Sequence, residues 1–329
     1  MQKPPSDNLD HKIPGFTDIQ AARDRIRQQV HQTPVLTSNT LNQMTDAEVF
    51  LKAENFQKGG AFKIRGATNA ISLLSDKEAP KGVATHSSGN HAQALALAAR
   101  ERGIPAFIVM PSNAPTAKRS AVEAYGGQIT FCEPTLEARE NTLDQVVKRT
   151  GATFIHPYDD PGIIAGQGTA ALELLEEVAD LDIILAPVGG GGLLSGTILA
   201  AKGIRASVRV MGVEPELADD AYRSLKEGKR LPPNPPKTIA DGLRTALGAL
   251  NFSIIRDGVE EIILVSDQQI LEAMRMLWER VKIVVEPSGA VPLAAAMHEQ
   301  KRFAGLKIGL ILSGGNVDLC RNELCNYWK

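Results

Sequence analysis

The chain has 329 residues, 43% of them hydrophobic, and a formal net charge of −2, enough for one large or two medium domains around a substantial core, with no basic block to suit nucleic acid or an anionic membrane. The opening MQKPPSDNLDHK lacks the apolar stretch of a secretion signal and reads as a loose tail, and no run reaches the length of a membrane span. Three cysteines, Cys132, Cys320 and Cys325, have no metal-ligand spacing, and their odd number suits a reducing compartment, so the cytoplasm is the expected location.

In chain order, short runs rich in Val and Ile predict strands over residues 49–53, 82–85, 106–110, 128–131, 183–188, 208–213, 262–265 and 308–312. Helical spacing falls between them, over 92–100, 115–125, 136–148 and 268–281. This alternation predicts an α/β protein with parallel sheets covered by helices on both faces. LPPNPPK at 231–237 is too short to separate domains and reads as a loop, and no internal repeat divides the chain.

Four segments carry chemistry. In ENFQKGGAFKIRGA, Lys63 follows Phe62 in a glycine-opened turn and precedes a helical run. A lysine that is partly desolvated there can lose its proton and form a Schiff base with an aldehyde cofactor, or it can be a solvated surface residue. In THSSGNHAQ, the residues Ser87, Ser88, Gly89, Asn90 and His91 link a strand to a helix. Their hydroxyls, amide and backbone N–H groups suit a carboxylate, although Ser88 or Asn90 as a plain helix cap fits equally. In PVGGGGLLSG, Gly189, Gly190, Gly191 and Gly192 follow a strand and open a helix, an arrangement that offers bare N–H groups to a phosphate or makes only a tight turn. It is no P-loop, because Thr197 and not lysine follows Gly196, and no dinucleotide fingerprint, because Ser195 stands where the third glycine belongs. The fourth segment, ILSGGNVD, is by itself a strand end.

In this order and with these separations, the four segments resemble the pyridoxal-phosphate enzymes of fold type II, within them the group of serine racemases and serine, threonine and hydroxyaspartate dehydratases. The resemblance runs from about Phe16 to Leu319. It implies a large domain of residues 1–81 and 158–329 and a small one of 82–157 that closes over the substrate. It implies that Lys63 forms the internal aldimine with pyridoxal 5'-phosphate, that Phe62 packs on the ring, and that Gly189 to Leu193 cradle the phosphate. By the same likeness Asn90 bonds the ring hydroxyl, Ser313 faces the pyridine nitrogen, and Glu286 lies near the ring, where it could also be just the acidic start of the helix after Pro287. A neutral Ser313 makes the cofactor a weaker electron sink, which suits elimination over transamination.

Ser87, Ser88, Asn90 and His91 are the implied substrate contacts, with Ser88 opposite Lys63, where it could reprotonate Cα and racemise serine. Arg139 aligns with an arginine that meets a distal carboxylate in these relatives, and could equally pair with Glu137 or Glu140 on the surface. In GVEPELADD, Glu214, the carbonyl of Ala218 and Asp220 match a divalent-cation site for magnesium, manganese or calcium; the other reading is an acidic first helical turn. Ala61, Tyr158, Asn39 and Gly59 depart from the animal racemases, so activation by ATP is not expected, and Tyr158 in HPYDDP is closer to microbial dehydratases. No regulatory domain is recognisable after LSGGNVD, which argues against a feedback-regulated threonine deaminase. The expectation is dehydration and deamination of serine, threonine or hydroxyaspartate by a homodimer, with racemisation as a second activity. The alternatives are a primary serine racemase, a catabolic threonine dehydratase, or a silent amino-acid or nucleotide sensor on the same fold.

Overall fold

A computed structural model describes residues 13–114 and 116–318. Ten strands form two sheets: β1 (Val35–Thr37), β2 (Glu48–Ala53), β3 (Val83–His86), β4 (Ala106–Pro111), β5 (Gln128–Cys132), β6 (Thr153–Phe154), β7 (Ile183–Pro187), β8 (Arg209–Pro215), β9 (Glu261–Val265) and β10 (Lys307–Leu312). The six-stranded sheet has the order β1-β2-β10-β7-β8-β9 and the four-stranded sheet the order β5-β4-β3-β6. All pairings are parallel except β1 with β2. The smaller sheet is made wholly between Val83 and Phe154, and the larger one from the chain on either side.

Alternation along the central strands puts core on both faces, as a parallel sheet requires. Ile183 and Leu185 of β7 join Met211, Val213 and the helix Pro287–His298 on one side. Ile184 and Ala186 join Val210 and the helices Pro161–Glu177 and Gly192–Ile204 on the other. In the smaller sheet, Val83, Ile108 and Met110 pack toward the helix Asn90–Arg102, while Ala84 and Val109 pack toward Leu143 and Val146 of the helix Leu136–Thr150.

The eight expected strands are present within a residue or two of their predicted ends. β1 and β6 were not legible: the first is a three-residue antiparallel edge and the second has two residues, too short for any periodicity. The helix expected over 268–281 runs from Asp267 to Met276 and then widens into a π turn, Leu277–Val281, closed by Lys282 at φ 67°. Leu277 and Val281 still face the core, so the apolar spacing continues past the helix end.

The helix Pro161–Glu177 lies between the two helices that carry the lysine and the glycine turn. A Cβ on Gly66 would lie 2.9 Å from the Ile163 carbonyl oxygen, and one on Gly166 2.6 Å from that of Arg65. On its other side, a Cβ on Gly196 would lie 2.5 Å from the Gly168 nitrogen. Backbone therefore meets backbone on both sides of this helix, and the relative positions of the helices that begin at Lys63 and at Gly192 leave little tolerance. No helix among the described residues is long and apolar enough to cross a membrane.

Candidate active site

The glycine turn joins the C-terminal end of β7 to the helix Gly192–Ile204, the position at which open parallel sheets bind ligands. Residues 189–193 are buried, yet none of their five backbone N–H groups has a protein acceptor among the described residues. Buried donors are nearly always paired, so a run of orphans at a helix N-terminus is a preformed anion cradle. Gly191 has φ +95°, which a side chain would strain. The turn is braced from outside: Gly248 N and the Asn251 side-chain amide both donate to the Gly190 carbonyl, at 3.1 and 2.9 Å. The ring of Tyr158 covers Gly190 so closely that a Cβ there would lie 2.2 Å from it. Thr245 Oγ1, buried beside Gly189, has no hydrogen-bond partner among the described residues; no pattern in the sequence marks this hydroxyl.

Lys63 opens the helix Lys63–Ser72, with Phe62 before it held to the end of β10 by its N–H donating to the Ser313 carbonyl at 3.0 Å. An isolated bridge between Ala61 and Gly314 continues that contact, so Phe62 and Lys63 lie beside the Ser313 end of β10. The Lys63 ammonium lies 5.1 Å from the Phe62 ring centre and donates to the Pro157 carbonyl at 3.0 Å. Burial lowers its pKa to about 8 against the opposing pull of Glu286. Half of the amine is then neutral and nucleophilic near pH 8. In the cofactor-free protein, the rate of covalent capture of pyridoxal phosphate should rise with pH through a midpoint near 8. A midpoint near the ordinary 10.5, read from the absorbance of the lysine adduct in stopped flow, would show that Lys63 is solvated.

Asn90 donates to Glu286 at 2.8 Å and accepts from Asn316 at 3.0 Å, and Asn316 also donates to the Gly59 carbonyl at 2.7 Å. Asn316 thus fixes which way the Asn90 amide faces, a role hidden in LSGGNVD because the partner lies 226 positions away. Burial pushes Glu286 up to about 8, with Asp241 acting in the same direction and Lys118 and the Asn90 hydrogen bond opposing.

The reading of Ser88 or Asn90 as a helix cap is not what the structure shows. Gly89 is the N-cap without a side-chain bond, and Asn90 is turned to Glu286. Ser87 joins the end of the small sheet through its N–H to the Val109 carbonyl at 3.2 Å, while the half-buried Ser88 makes no hydrogen bond among the described residues. His91 is 2% exposed, and among the described residues neither ring nitrogen has a partner in full hydrogen-bond geometry, although the Ile155 backbone lies near it. Burial, then the charge of Lys63, holds it well below its ordinary pKa, so it is a neutral neighbour of the lysine.

Arg139, on the helix Leu136–Thr150, pairs with neither Glu137 nor Glu140 among the described residues. Its Nε is buried without an acceptor, and its charge is felt by His86 and Cys132 at the ends of β3 and β5. It is a half-buried cation near the C-terminal end of β3, from which Ser87 and Ser88 follow in the chain.

Glu214 lies in β8 and Asp220 opens the helix Asp220–Glu227. Glu214 accepts from the N–H groups of Ala221 and Tyr222 at 3.1 and 2.9 Å, and Asp220 accepts from Leu247 N at 2.8 Å. Burial raises both carboxyls, and the charge of Asp220 raises Glu214 further. The acidic first-turn residue is Asp220, while Glu214, at the end of β8, takes two N–H groups of that helix start from outside it. Their oxygens, with the backbone carbonyl of the buried Ala218 two residues before Asp220 in the chain, are of the kind a hard cation takes. Among the described residues no group of three or more His, Cys, Asp or Glu could hold a metal ion; this set would need the Ala218 carbonyl and water.

A desolvated lysine amine, an orphaned anion cradle and a buried serine at one strand edge define a site for a phosphorylated aldehyde. The family model described as "Pyridoxal-phosphate dependent enzyme" matches residues 26–314, and the chain belongs to that family. It is 51% identical over 307 residues to the beta-hydroxyaspartate dehydratase of Paracoccus denitrificans, covering 93% of this chain and 98% of that protein. It is 48% identical over 310 residues to the L-threo-3-hydroxyaspartate ammonia-lyase of Saccharomyces cerevisiae, covering 94% and 95%. The solved structure of maize serine racemase superposes with a TM-score of 0.93 at 47% identity, covering 96% of this chain and 98% of that one. The fold is that of the fold-type II enzymes.

Proposed function

We propose that the protein eliminates water from β-hydroxy amino acids, with L-threo-3-hydroxyaspartate as the preferred substrate, to give a keto acid and ammonia. The observation that carries the preference is Arg139, a half-buried cation whose Nε is buried without an acceptor among the described residues and whose charge reaches His86, the residue before Ser87. The beta-hydroxyaspartate dehydratase and threo-3-hydroxyaspartate ammonia-lyase names of two similar proteins support it.

Pyridoxal phosphate fits the residues present: Gly189 to Leu193 would hold its phosphate, Lys63 its aldehyde, Phe62 one ring face, Asn90 and Glu286 the hydroxyl edge and Ser313 the nitrogen. When bound it supplies an electron sink for a carbanion at Cα. Ser313, a neutral hydroxyl, does not enforce protonation of the ring nitrogen, which favours elimination. The first-turn N–H groups of the helix Asn90–Arg102 and the Ser87 hydroxyl receive the α-carboxylate, and Arg139 receives the distal one in a bidentate pair. Lys63, once its amine is free, takes the proton from Cα. The β-hydroxyl leaves as water with the proton that Lys63 has taken, and the released enamine takes up one water to give keto acid and ammonia. Ser88 faces Cα from the other side, and proton return there inverts the centre, which is the route to racemisation.

Residues 82–157 act as a small domain that closes these groups over the substrate and excludes water. Glu214, Asp220 and the Ala218 carbonyl hold a divalent cation. The test of the substrate assignment is Arg139→Gln. For hydroxyaspartate, kcat/KM should fall about 100-fold, the scale of a lost charged hydrogen-bond pair, while kcat/KM for L-serine changes by less than about threefold. Equal losses for both substrates would remove the distal-carboxylate role.

A further inference from the structure

Arg65 lies two residues beyond Lys63 and is completely buried together with Glu54 and Lys52. Its Nε and Nη2 donate to the two oxygens of Glu54 at 2.7 and 2.9 Å. Its Nη1 and Nη2 donate to the two oxygens of Glu173 at 2.7 and 2.8 Å. Thr169 Oγ1 accepts the remaining Nη1 N–H at 3.2 Å, and the His31 carbonyl at 3.3 Å and Thr33 Oγ1 at 3.5 Å share those of Nη2. Lys52 closes the network on Glu173 at 2.6 Å and on the Thr33 carbonyl at 2.6 Å. Two cations and two carboxylates are thus matched. Burial alone would raise the Glu54 carboxyl, but Arg65 holds it below its ordinary value.

Buried ion networks rarely stabilise a fold more than apolar residues of the same volume would, and their best-attested use is to select one arrangement. Here that arrangement is the register of the Lys63 helix. The helix start has no side-chain cap, since Phe62 precedes it in helical backbone geometry. Arg65 instead ties its first turn to Glu54 beyond the end of β2 and to Thr169 and Glu173 on the helix Pro161–Glu177. That same helix meets the glycine-turn helix backbone to backbone at Gly168 and Gly196. The Lys63 amine and the anion cradle are therefore located from one shared helix, and Arg65 is the residue that locks the lysine side of it.

We infer that Arg65, with Glu54 and Glu173, is a positioning residue that sets the distance from the Lys63 amine to the phosphate cradle. The inference rests on the proposed role of Lys63. It predicts that a change preserving charge but not fork geometry, Arg65→Lys, lowers kcat at least tenfold with KM within about threefold. The paired variant Glu54→Gln with Arg65→Met removes one buried charge of each sign and leaves Lys52 with Glu173. It should melt close to the parent protein yet keep the tenfold loss of kcat, and the visible absorbance of its bound cofactor should shift. Either variant turning over at the parent rate would overturn the inference, as would losses that track only the fraction of folded protein. Borohydride reduction followed by peptide mapping is the control. Cofactor found on a residue other than Lys63 would refute the lysine assignment itself, whatever Arg65 does.

Discussion

Lys63→Ala should abolish both covalent capture of pyridoxal phosphate and turnover, with keto-acid release falling about 10,000-fold or more, the upper range for removal of a general base that also anchors the reactive group. The expectation rests on the desolvation of Lys63, whose pKa of about 8 makes it both a competent nucleophile and a base near neutral pH. The anion cradle at residues 189–193 is untouched by the change, so the variant should still bind the cofactor through its phosphate, without the absorbance of the lysine adduct. Dialysis would then strip cofactor from the variant and leave it on the parent. A variant that retained even one-tenth of parent activity would place the base elsewhere, and the buried His91 beside Lys63 would be the next group to replace.

Ser88→Ala separates the two outcomes of proton removal. Lys63 still takes the Cα proton and water still leaves, so elimination from L-serine should stay within about threefold of the parent. D-serine formation should fall about 100-fold or more, because no donor remains on the second face. Chiral chromatography of the residual serine, together with pyruvate release, reads both numbers from one reaction. Ser88 suits this role because its hydroxyl makes no hydrogen bond among the described residues, whereas the neighbouring Asn90 is committed to Glu286 and Asn316. Parallel losses of elimination and racemisation would instead make Ser88 a carboxylate-binding residue.

The alternation of Val- and Ile-rich runs with helical spacing was enough to read the parallel sheets, because buried parallel strands are nearly continuous apolar runs. β1 and β6 escaped because two or three residues contribute backbone pairing and almost no side-chain pattern. The glycine turn was legible as an anion site through its position between strand and helix. What the turn rests on was not: Tyr158 over Gly190 and Asn251 on the Gly190 carbonyl come from distant segments, and single residues carry no period. Lys63 alone was ambiguous, since desolvation is a property of its surroundings, Pro157 and Glu286 among them. Asn316 and the Arg65 network belong to the same class. Each looks like an ordinary polar residue in the chain, and its role exists only once distant partners are in contact. The Glu214 and Asp220 pair shows a further limit, in that acidic residues at a helix start look alike in sequence whether they cap the helix or hold a cation.

The most direct measurement is keto-acid and ammonia release from L-threo-3-hydroxyaspartate, L-serine and L-threonine by the cofactor-loaded protein, with and without magnesium. The account predicts stoichiometric oxaloacetate and ammonia from hydroxyaspartate, with the highest kcat/KM of the three. No keto acid from any of them, in a protein shown to carry pyridoxal phosphate on Lys63, would contradict it and leave a binding protein on an enzyme fold.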